Sequence, residues 1–286
     1  MKKALFKIGA RLMMLAVLTL VAGLLGATLV RFSPGYGVDE RELDPRLSQA
    51  SVEAIRSSRS IESRLLVYYR DYLVRALRGD FGKSQWLDRP VSSLIRERLP
   101  VTARSVLGGM FLAWMAALIV ALAAMFMRGF LFDFSTTAVS GLLIALPTGV
   151  VAMLAVYLRA PAFLAISVVI FPKLFRYLHN LLKHAYAQPH ILAARTRGIS
   201  TARIVFRHVV PLVSPALFAL VGVSLSMAFG AAIPIEALSD SPGVGQLAWQ
   251  AALNRDLPLI VNLTLLVTLF TVTVNSVASV APEMAQ

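Results

Sequence analysis

Histidines are the residues of this chain best suited to bind a metal, and all four lie in one short region. His179, His184, His190 and His208 follow one another at intervals of five, six and eighteen residues. None of these intervals places two imidazoles on one helical face at the spacing of a metal pair. The chain has no cysteine, which excludes disulfides and thiolate sites. The sequence therefore predicts no metal site, and we expect the histidines to be solvated surface residues.

A second candidate for chemistry is the segment 79–84 (GDFGKS), which is similar to a phosphate-binding loop. Such a loop requires a glycine five residues before Gly82, and Leu77 occupies that position. The chain also lacks a G-x-S-x-G motif, and no pair of carboxylates lies within its apolar segments. These observations argue against nucleotide binding here and favour a protein that is not an enzyme.

The basic stretch 190–200 (HILAARTRGIS) has clear signals for helix ends. Pro189 suits the first position of a helix, and Gly198 suits the left-handed residue that ends one. Ser200 or Thr201 can cap the next helix. Pro211 should then bend the chain as it enters the following apolar segment. The pattern predicts two short helices that meet at a glycine turn.

The side chains of this stretch allow two interpretations. Ala193 and Ala194 leave one face of the first helix small, while Arg195 and Arg197 keep it basic. Another protein could therefore approach this face closely. An ordinary basic loop at a membrane surface would carry the same charge, so the residues alone leave both interpretations open.

Apolar segments long enough to cross a membrane must position this basic stretch. Of the 286 residues, 57% are hydrophobic and only 15% are charged, and the mean hydropathy is +0.72. This excess of apolar residues indicates lipid surroundings. A membrane helix needs about 20 mostly apolar residues. We predict six spans, at residues 12–30, 105–127, 134–158, 161–171 with an extension toward residue 177, 209–233 and 259–280.

Three features of these spans carry further predictions. The first is longer than the apolar region of a signal peptide, which has roughly 7–15 residues, so we expect a retained anchor. Pro147 lies inside the third span and should kink it. The interiors of the second, third, fifth and sixth spans contain no ionisable residue. This argues against a transporter driven by an ion gradient, which usually needs charged residues at membrane depth.

Basic residues predict the orientation of the chain. Four Lys or Arg residues precede the first span, and seven lie in the segment 173–208, which has no Asp or Glu. Both regions should be cytoplasmic, which places both termini in the cytoplasm and the segments 31–104 and 235–257 outside. The net charge of +13 then reflects loops that face anionic lipid rather than nucleic acid. The predicted organisation is a membrane helix at 1–30, an extracytoplasmic segment at 31–104, and a five-helix core at 105–280.

The extracytoplasmic segment contains a predicted amphipathic helix at residues 51–78, lying on the outer surface. Its apolar side chains follow helical spacing: Ile61, Leu65, Leu66, Tyr69, Leu73 and Leu77.

The segment 235–257, called the outer connector below, is rich in turn-forming residues. Pro242, Gly243 and Gly245 predict a tight turn, with Glu236 at its start and Asp256 near its end. We expect this turn to re-enter or cap a pathway through the membrane.

Mild polar residues occur within the last two spans. Thr264, Thr268, Thr271 and Asn275 follow at steps of four, three and four residues and so share one face of the sixth span. This face could be a polar wall of a translocation pathway or a surface for helix packing. The row Gly222, Ser226 and Gly230 on the fifth span favours packing, since small residues at this spacing allow helices to approach closely.

The stretch 189–217 resembles the cytoplasmic loop of permease subunits in binding-protein-dependent ABC importers. That loop has the pattern E-A-A, three residues, G, nine residues, I-x-L-P. Ala193, Ala194, Gly198 and Pro211 take the required positions, while Leu192 replaces the acidic residue. Five other stretches and one residue are similar to the dipeptide, oligopeptide and nickel branch of this family: 78–84, 89–103, 201–208, 235–247, 254–258 and Asn275.

The resemblance implies an all-α type I ABC importer permease with six transmembrane helices in a bacterial inner membrane. Its partners would be a second permease subunit, in a heterodimer, together with two cytoplasmic ATPases and an extracytoplasmic solute-binding protein. ATP would be bound by the ATPases, so this chain would need no cofactor and supply no catalytic residue. Peptide is the expected substrate, although nickel and other small solutes share the fold. The substituted loop leaves an alternative, a membrane scaffold that no longer transports.

Overall fold

A computed structural model describes residues 2–32, 65–126 and 130–284, and these residues are helical almost throughout. An isolated antiparallel bridge joins Lys83 and Pro90. The helices are α1 (Lys2–Arg31), α2 (Leu65–Leu77), α3 (Val91–Phe126), α4 (Phe130–Ala145), α5 (Thr148–Tyr157), α6 (Ala162–Tyr186), α7 (Pro189–Thr196), α8 (Thr201–Ile204), α9 (Val210–Leu238), α10 (Val244–Leu253) and α11 (Leu257–Met284). The all-α membrane fold predicted from the sequence is confirmed.

The chain divides into two compact units. The first contains Met1–Glu97 and Leu247–Phe270, and the second contains Arg98–Gln246 and Thr271–Gln286.

The first unit has a core built around α2. Tyr69 and Tyr72 are buried there with Ala27 of α1 and with Leu257 and Val261 of α11. The two tyrosines stand three residues apart, so they share one face of α2, and their rings stack at 6.4 Å. This helix is therefore packed against two other helices rather than lying free on a surface. Residues 51–64 of the predicted amphipathic helix lie outside the described residues.

The second unit is organised around α6, which contacts α4, α5, α7 and α9. Its buried positions recur every three or four residues, as expected for a helix with one packed face: Ala165, Ile166, Ile170, Leu174, Phe175, Leu178, Leu182 and Ala185. Helix α3 reaches α6 at Gly109, where an added Cβ would lie 2.7 Å from Ile166 and 2.8 Å from the carbonyl oxygen of Phe163. The glycine thus permits close approach of the two helices.

The third predicted span bends at Pro147 as expected, but it is broken there into two helices instead of being one kinked helix. Helices α4 and α5 are bent by 92° at this residue. Proline has no N–H for the helical ladder, and it disfavours helical geometry at the residue before it, Leu146. The helix therefore stops at Ala145 and a new one begins at Thr148.

Four described helices are long and apolar enough to cross a membrane, and the bent pair makes a fifth if it forms one span. The four are Val91–Ala124, Ala162–Tyr186, Thr201–Leu238 and Leu257–Ala278. A shorter apolar helix covers Met13–Leu29, within α1. The count of six spans and the cytoplasmic position of both termini remain predictions.

Candidate functional site

The basic stretch forms a helix, a glycine turn and a second helix. Helix α7 begins at Pro189 as predicted, and Gly198 has a φ of +75°, which confirms the predicted left-handed residue. The amide of Ile199 donates to the carbonyl of Ala194 and closes the end of α7. Ser200 occupies the cap position before α8, but its side chain makes no capping hydrogen bond. We call residues 189–200 the coupling turn, after the role proposed for them below.

The coupling turn is buried on one side and exposed on the other. Ile191 and Ile204, on either side of the glycine, are completely buried. Ala193, Arg197 and Gly198 are exposed, and Ala194 is half-buried. An added Cβ on Gly198 would meet no atom within 4 Å. The turn therefore presents a small, basic outer face on a fixed apolar base. The side chain of Arg195 lies outside the described residues.

The second helix of the pair is not short, which corrects the sequence prediction. Helix α8 continues through a π-helical turn at Val205–Val209 into α9, so that Thr201–Leu238 forms one helix of 38 residues. Pro211, at the start of α9, cannot donate an N–H to the carbonyl four residues before it. The wider π-turn ends two residues before this proline, and the helix continues through both.

The outer connector begins with a buried carboxylate. Glu236 has no exposed surface, and its Oε2 accepts hydrogen bonds from Thr102 Oγ1 at 3.0 Å and from the amide of Gly245 at 2.8 Å. Thr102 Oγ1 in turn accepts from the amide of Val244 at 2.8 Å. The first two amides of α10 are thus bonded to side chains of two other helices, which stabilises the helix start.

Two glycines of the turn are required for this arrangement, for different reasons. A Cβ on Gly243 would overlap the carboxyl group of Glu236. A Cβ on Gly245 would lie 2.6 Å from the Cα atom of Ile233 and 2.7 Å from its carbonyl oxygen. We call Thr102, Glu236, Gly243 and Gly245 the connector clasp. Pro242 is exposed beside it.

The other end of the outer connector is tied to the segment that precedes α3, within the first unit. Asp256 is completely buried. Its Oδ2 accepts from Ser84 Oγ at 2.5 Å and from the amide of Trp86 at 3.1 Å. Its Oδ1 accepts from the amide of Leu259 at 3.1 Å and so caps α11.

Asn262, one turn further along α11, makes a second set of bonds to the same region. Its Nδ2 donates to the carbonyl of Phe81 at 2.9 Å, and its Oδ1 accepts from Tyr72 Oη at 2.7 Å. Burial raises the pKa of Tyr72 well above its ordinary value of 10.0, so the phenol stays protonated and keeps donating. The GDFGKS segment is therefore a structural loop fastened to the start of α11.

The four polar residues that share one face of α11 have different neighbours. Thr264 lies against Gly26 of α1, where an added Cβ would be 3.1 Å from its Oγ1. Asn275 Oδ1 accepts a hydrogen bond from Ser226 Oγ at 3.1 Å, and the pair is exposed. Thr268 and Thr271 are half-exposed. Packing is thus evident for Thr264, while pathway lining remains a prediction for the other three.

The two glycines in the row of small residues on α9 also have different surroundings. A Cβ on Gly222 would collide with Ala278 of α11 and lie 3.2 Å from the carbonyl oxygen of Val274, so this glycine permits close packing. Gly230 has nothing within 4 Å of an added Cβ. The row is therefore closely packed at Gly222, whereas no described atom lies within 4 Å of a Cβ added at Gly230.

Four residues that hold these sites together were not singled out as site residues from the sequence: Thr102, Ser84, Tyr72 and Asn262. Ser84 and Thr102 stand in stretches whose resemblance to the peptide branch was noted, which was the only signal. Nothing in their spacing identifies their partners. Among the described residues, no group of three or more His, Asp or Glu could hold a metal ion.

Long apolar helices joined by an exposed basic turn define a polytopic membrane protein whose distinctive surface is that turn. Residues 109–283 match the family described as binding-protein-dependent transport system inner membrane component, and the chain belongs to this family. It is a multi-pass protein of the bacterial inner membrane and a permease of the peptide branch of ABC importers. Such a permease is not an enzyme, because partner ATPases hydrolyse the ATP.

Relatives of known name are similar over most of their length. The oligopeptide transport system permease protein OppB of Escherichia coli strain K12 is 26% identical over 262 residues, which cover 84% of each chain. A protein of Brucella suis biovar 1, provisionally named a peptide permease, is 25% identical over 285 residues, covering 88% of this chain and 89% of that protein. A second Brucella suis protein, provisionally named a peptide transport system permease, is 25% identical over 264 residues, covering 83% and 84%.

Proposed function

We propose that this chain forms half of the translocation pathway of an ATP-driven peptide importer, and that the coupling turn binds a cytoplasmic ATPase. The observation that carries the second part is the geometry of the turn. Its base is fixed by Ile191 and Ile204, which are fully buried, while Ala193 and Gly198 leave its outer face small and exposed. Such a face allows the backbone of another protein to approach closely.

The complex would contain a second, similar permease subunit in a heterodimer, two cytoplasmic ATPases and an extracytoplasmic solute-binding protein. ATP would be bound by the ATPases and would require no cofactor in this chain. The names of the relatives, an oligopeptide permease and two peptide permeases, support peptides as the substrate class. The apolar stretches 105–127, 134–158, 209–233 and 259–280 contain no Asp, Glu, His, Lys or Arg, which supports an energy source outside the membrane.

Substitutions in the coupling turn test the ATPase contact. At the positive φ of Gly198, any residue with a Cβ costs about 1 kcal/mol, and a β-branched residue costs more. Gly198→Val should therefore rotate α7 against α8 while the buried base remains in place. Ala193→Asp should act differently, by placing bulk and an unpaired charge on the outer face. We expect both variants to insert into the membrane and to recover at least roughly tenfold less ATPase on co-purification, about 1.4 kcal/mol of binding.

Gly79→Val is the matched control. Gly79 has a φ of +82°, and its added Cβ would also meet no atom within 4 Å. The backbone strain is thus the same as at Gly198, but Gly79 lies in the predicted extracytoplasmic segment. ATPase recovery with this control should equal that of the wild type. Normal recovery with both Gly198→Val and Ala193→Asp would reduce the coupling turn to an ordinary basic loop.

Transport itself is tested by uptake of an alanine tripeptide in cells that lack other peptide importers and express the complete complex. Uptake that stops when ATP is depleted supports the importer. ATPase recovery without any uptake or substrate-stimulated ATP hydrolysis would favour the non-transporting scaffold. Uptake abolished by a proton ionophore at constant ATP would instead indicate a secondary transporter.

A further inference from the structure

The connector clasp and the coupling turn lie at opposite ends of one helix. Gly198 precedes Thr201 by three residues, and Glu236 stands two residues before the end at Leu238. At 1.5 Å per residue, the helix between them is about 55 Å long. Pro215 and Pro234 lie inside α9, and the helix remains continuous through both. A displacement at one end can therefore reach the other without passing through a loop.

The clasp is built from polar contacts that cost stability unless they are satisfied. Glu236 is fully buried, and both of its hydrogen bonds go to one oxygen. No described donor reaches Oε1. An apolar side chain of similar volume would avoid the cost of burying a carboxyl group. The presence of this carboxyl group is therefore better explained by its hydrogen bond to the start of α10 than by a contribution to the stability of the protein.

Helix α3 contributes a second side chain to the same place. Arg98 and Thr102 are four residues apart and share one face of α3. Thr102 bonds the amide of Val244, and Arg98 Nη1 donates to Gln246 Oε1 at 2.9 Å. Gln246 Nε2 also donates to Asp240, which follows α9. The start of α10 is thus bonded to both α3 and the end of α9.

We propose that Glu236 is a positioning residue that fastens the outer connector to α9, so that movement of the coupling turn is transmitted to the connector turn 239–243. This inference rests on the proposed function, because it takes the coupling turn to be moved by the ATPases. Glu236 acts through Gly243, Gly245 and Thr102 and need not touch the substrate. Without its carboxyl group, α9 can move while the connector turn stays behind.

Cysteine labelling measures this transmission directly, because the natural chain has no cysteine. Ser241→Cys places one thiol in the connector turn of the complete complex. Its rate of reaction with an impermeant maleimide is compared before and after trapping with ATP and vanadate. We expect trapping to change the rate at least threefold in the otherwise wild-type chain. Glu236→Ala should abolish this change while ATPase recovery stays normal, and Glu236→Gln should retain most of it.

Substitutions of Gly243 and Gly245 distinguish the proposed role of Glu236 from a general loss of stability. Gly243→Ala alone should abolish the change in labelling, because its Cβ overlaps the carboxyl group of Glu236. In the double variant with Glu236→Ala, this overlap is gone, so Gly243→Ala should add no further loss of tripeptide uptake. Gly245→Ala is the control, since its Cβ meets the backbone of Ile233. It should lower uptake further even in the Glu236→Ala chain.

A second pair of variants covers the case in which Glu236→Ala fails to accumulate in the membrane. Thr102→Val removes the shared hydroxyl and should abolish the change in labelling, whereas Thr102→Ser should retain it. A full change in labelling with Glu236→Ala or Thr102→Val overturns the inference. ATPases that co-purify with a wild-type chain showing no change overturn it too, but leave the proposed function standing. ATPases that do not co-purify with the wild type contradict the proposed function itself.

Discussion

Substituting Asp256 should release the segment 84–89 from the start of α11. Asp256→Ala removes the acceptor for Ser84 Oγ, for the amide of Trp86 and for the amide of Leu259. A hydrogen bond to a charged group contributes about 1.5 kcal/mol or more, and loss of a helix cap costs about 1 kcal/mol. The two bonds to the segment and the cap together amount to roughly 4 kcal/mol. Asp256→Asn should lose less, because its amide oxygen can still accept from one side.

Limited proteolysis reports this loss locally. Lys83 is exposed, and trypsin cleaves the Lys83–Ser84 bond only when the segment opens. The bond after Arg89 resists trypsin because Pro90 follows it. If opening and closing are fast, the cleavage rate follows the open population. In Asp256→Ala, loss of the two bonds from Ser84 and Trp86, about 3 kcal/mol, should therefore raise the cleavage rate of the detergent-solubilised protein by roughly two orders of magnitude.

Asp88→Asn is the control for this experiment. Asp88 is exposed and has a φ of +50°, a conformation that Asn tolerates well. Cleavage of this variant should remain within about twofold of the wild type, since surface changes of this kind cost little. An equal rise in both variants, or a rise of less than tenfold in Asp256→Ala, would refute the assignment of Asp256 as the fastening residue.

Two further predictions concern topology and pH. Single cysteines at Ser58 and Ser200 should react differently with an impermeant thiol reagent on intact cells: labelling at Ser58 alone is expected, and labelling at Ser200 would overturn the orientation. Because burial raises the pKa of Tyr72 in the folded state above the ordinary value of 10.0, its contribution to stability is complete below about pH 10 and is lost as the pH rises further. Alkaline unfolding should be less steep in Tyr72→Phe than in wild type, and identical curves would contradict the burial argument.

Much of the membrane architecture could be predicted because it depends on local properties. Continuous apolar runs indicate helices in lipid whatever they pack against. Pro189 and Gly198 constrain their own backbone angles, so the start of α7 and its left-handed end were evident from the residues alone. Pro147 marked a break for the same reason. Its angle of 92° was not predictable, because it depends on how α4 and α5 pack against α6 and α9.

The partners in each site were decided by tertiary structure alone. Thr102 and Glu236 are 134 positions apart, Ser84 and Asp256 are 172 apart, and Tyr72 and Asn262 are 190 apart. A hydrogen bond needs its atoms within about 3 Å, and at such separations only helix packing brings two chosen side chains that close. Polar residues at helix ends and glycines in a turn are visible in a sequence. Which carboxylate a glycine must make room for is determined only when the helices have packed.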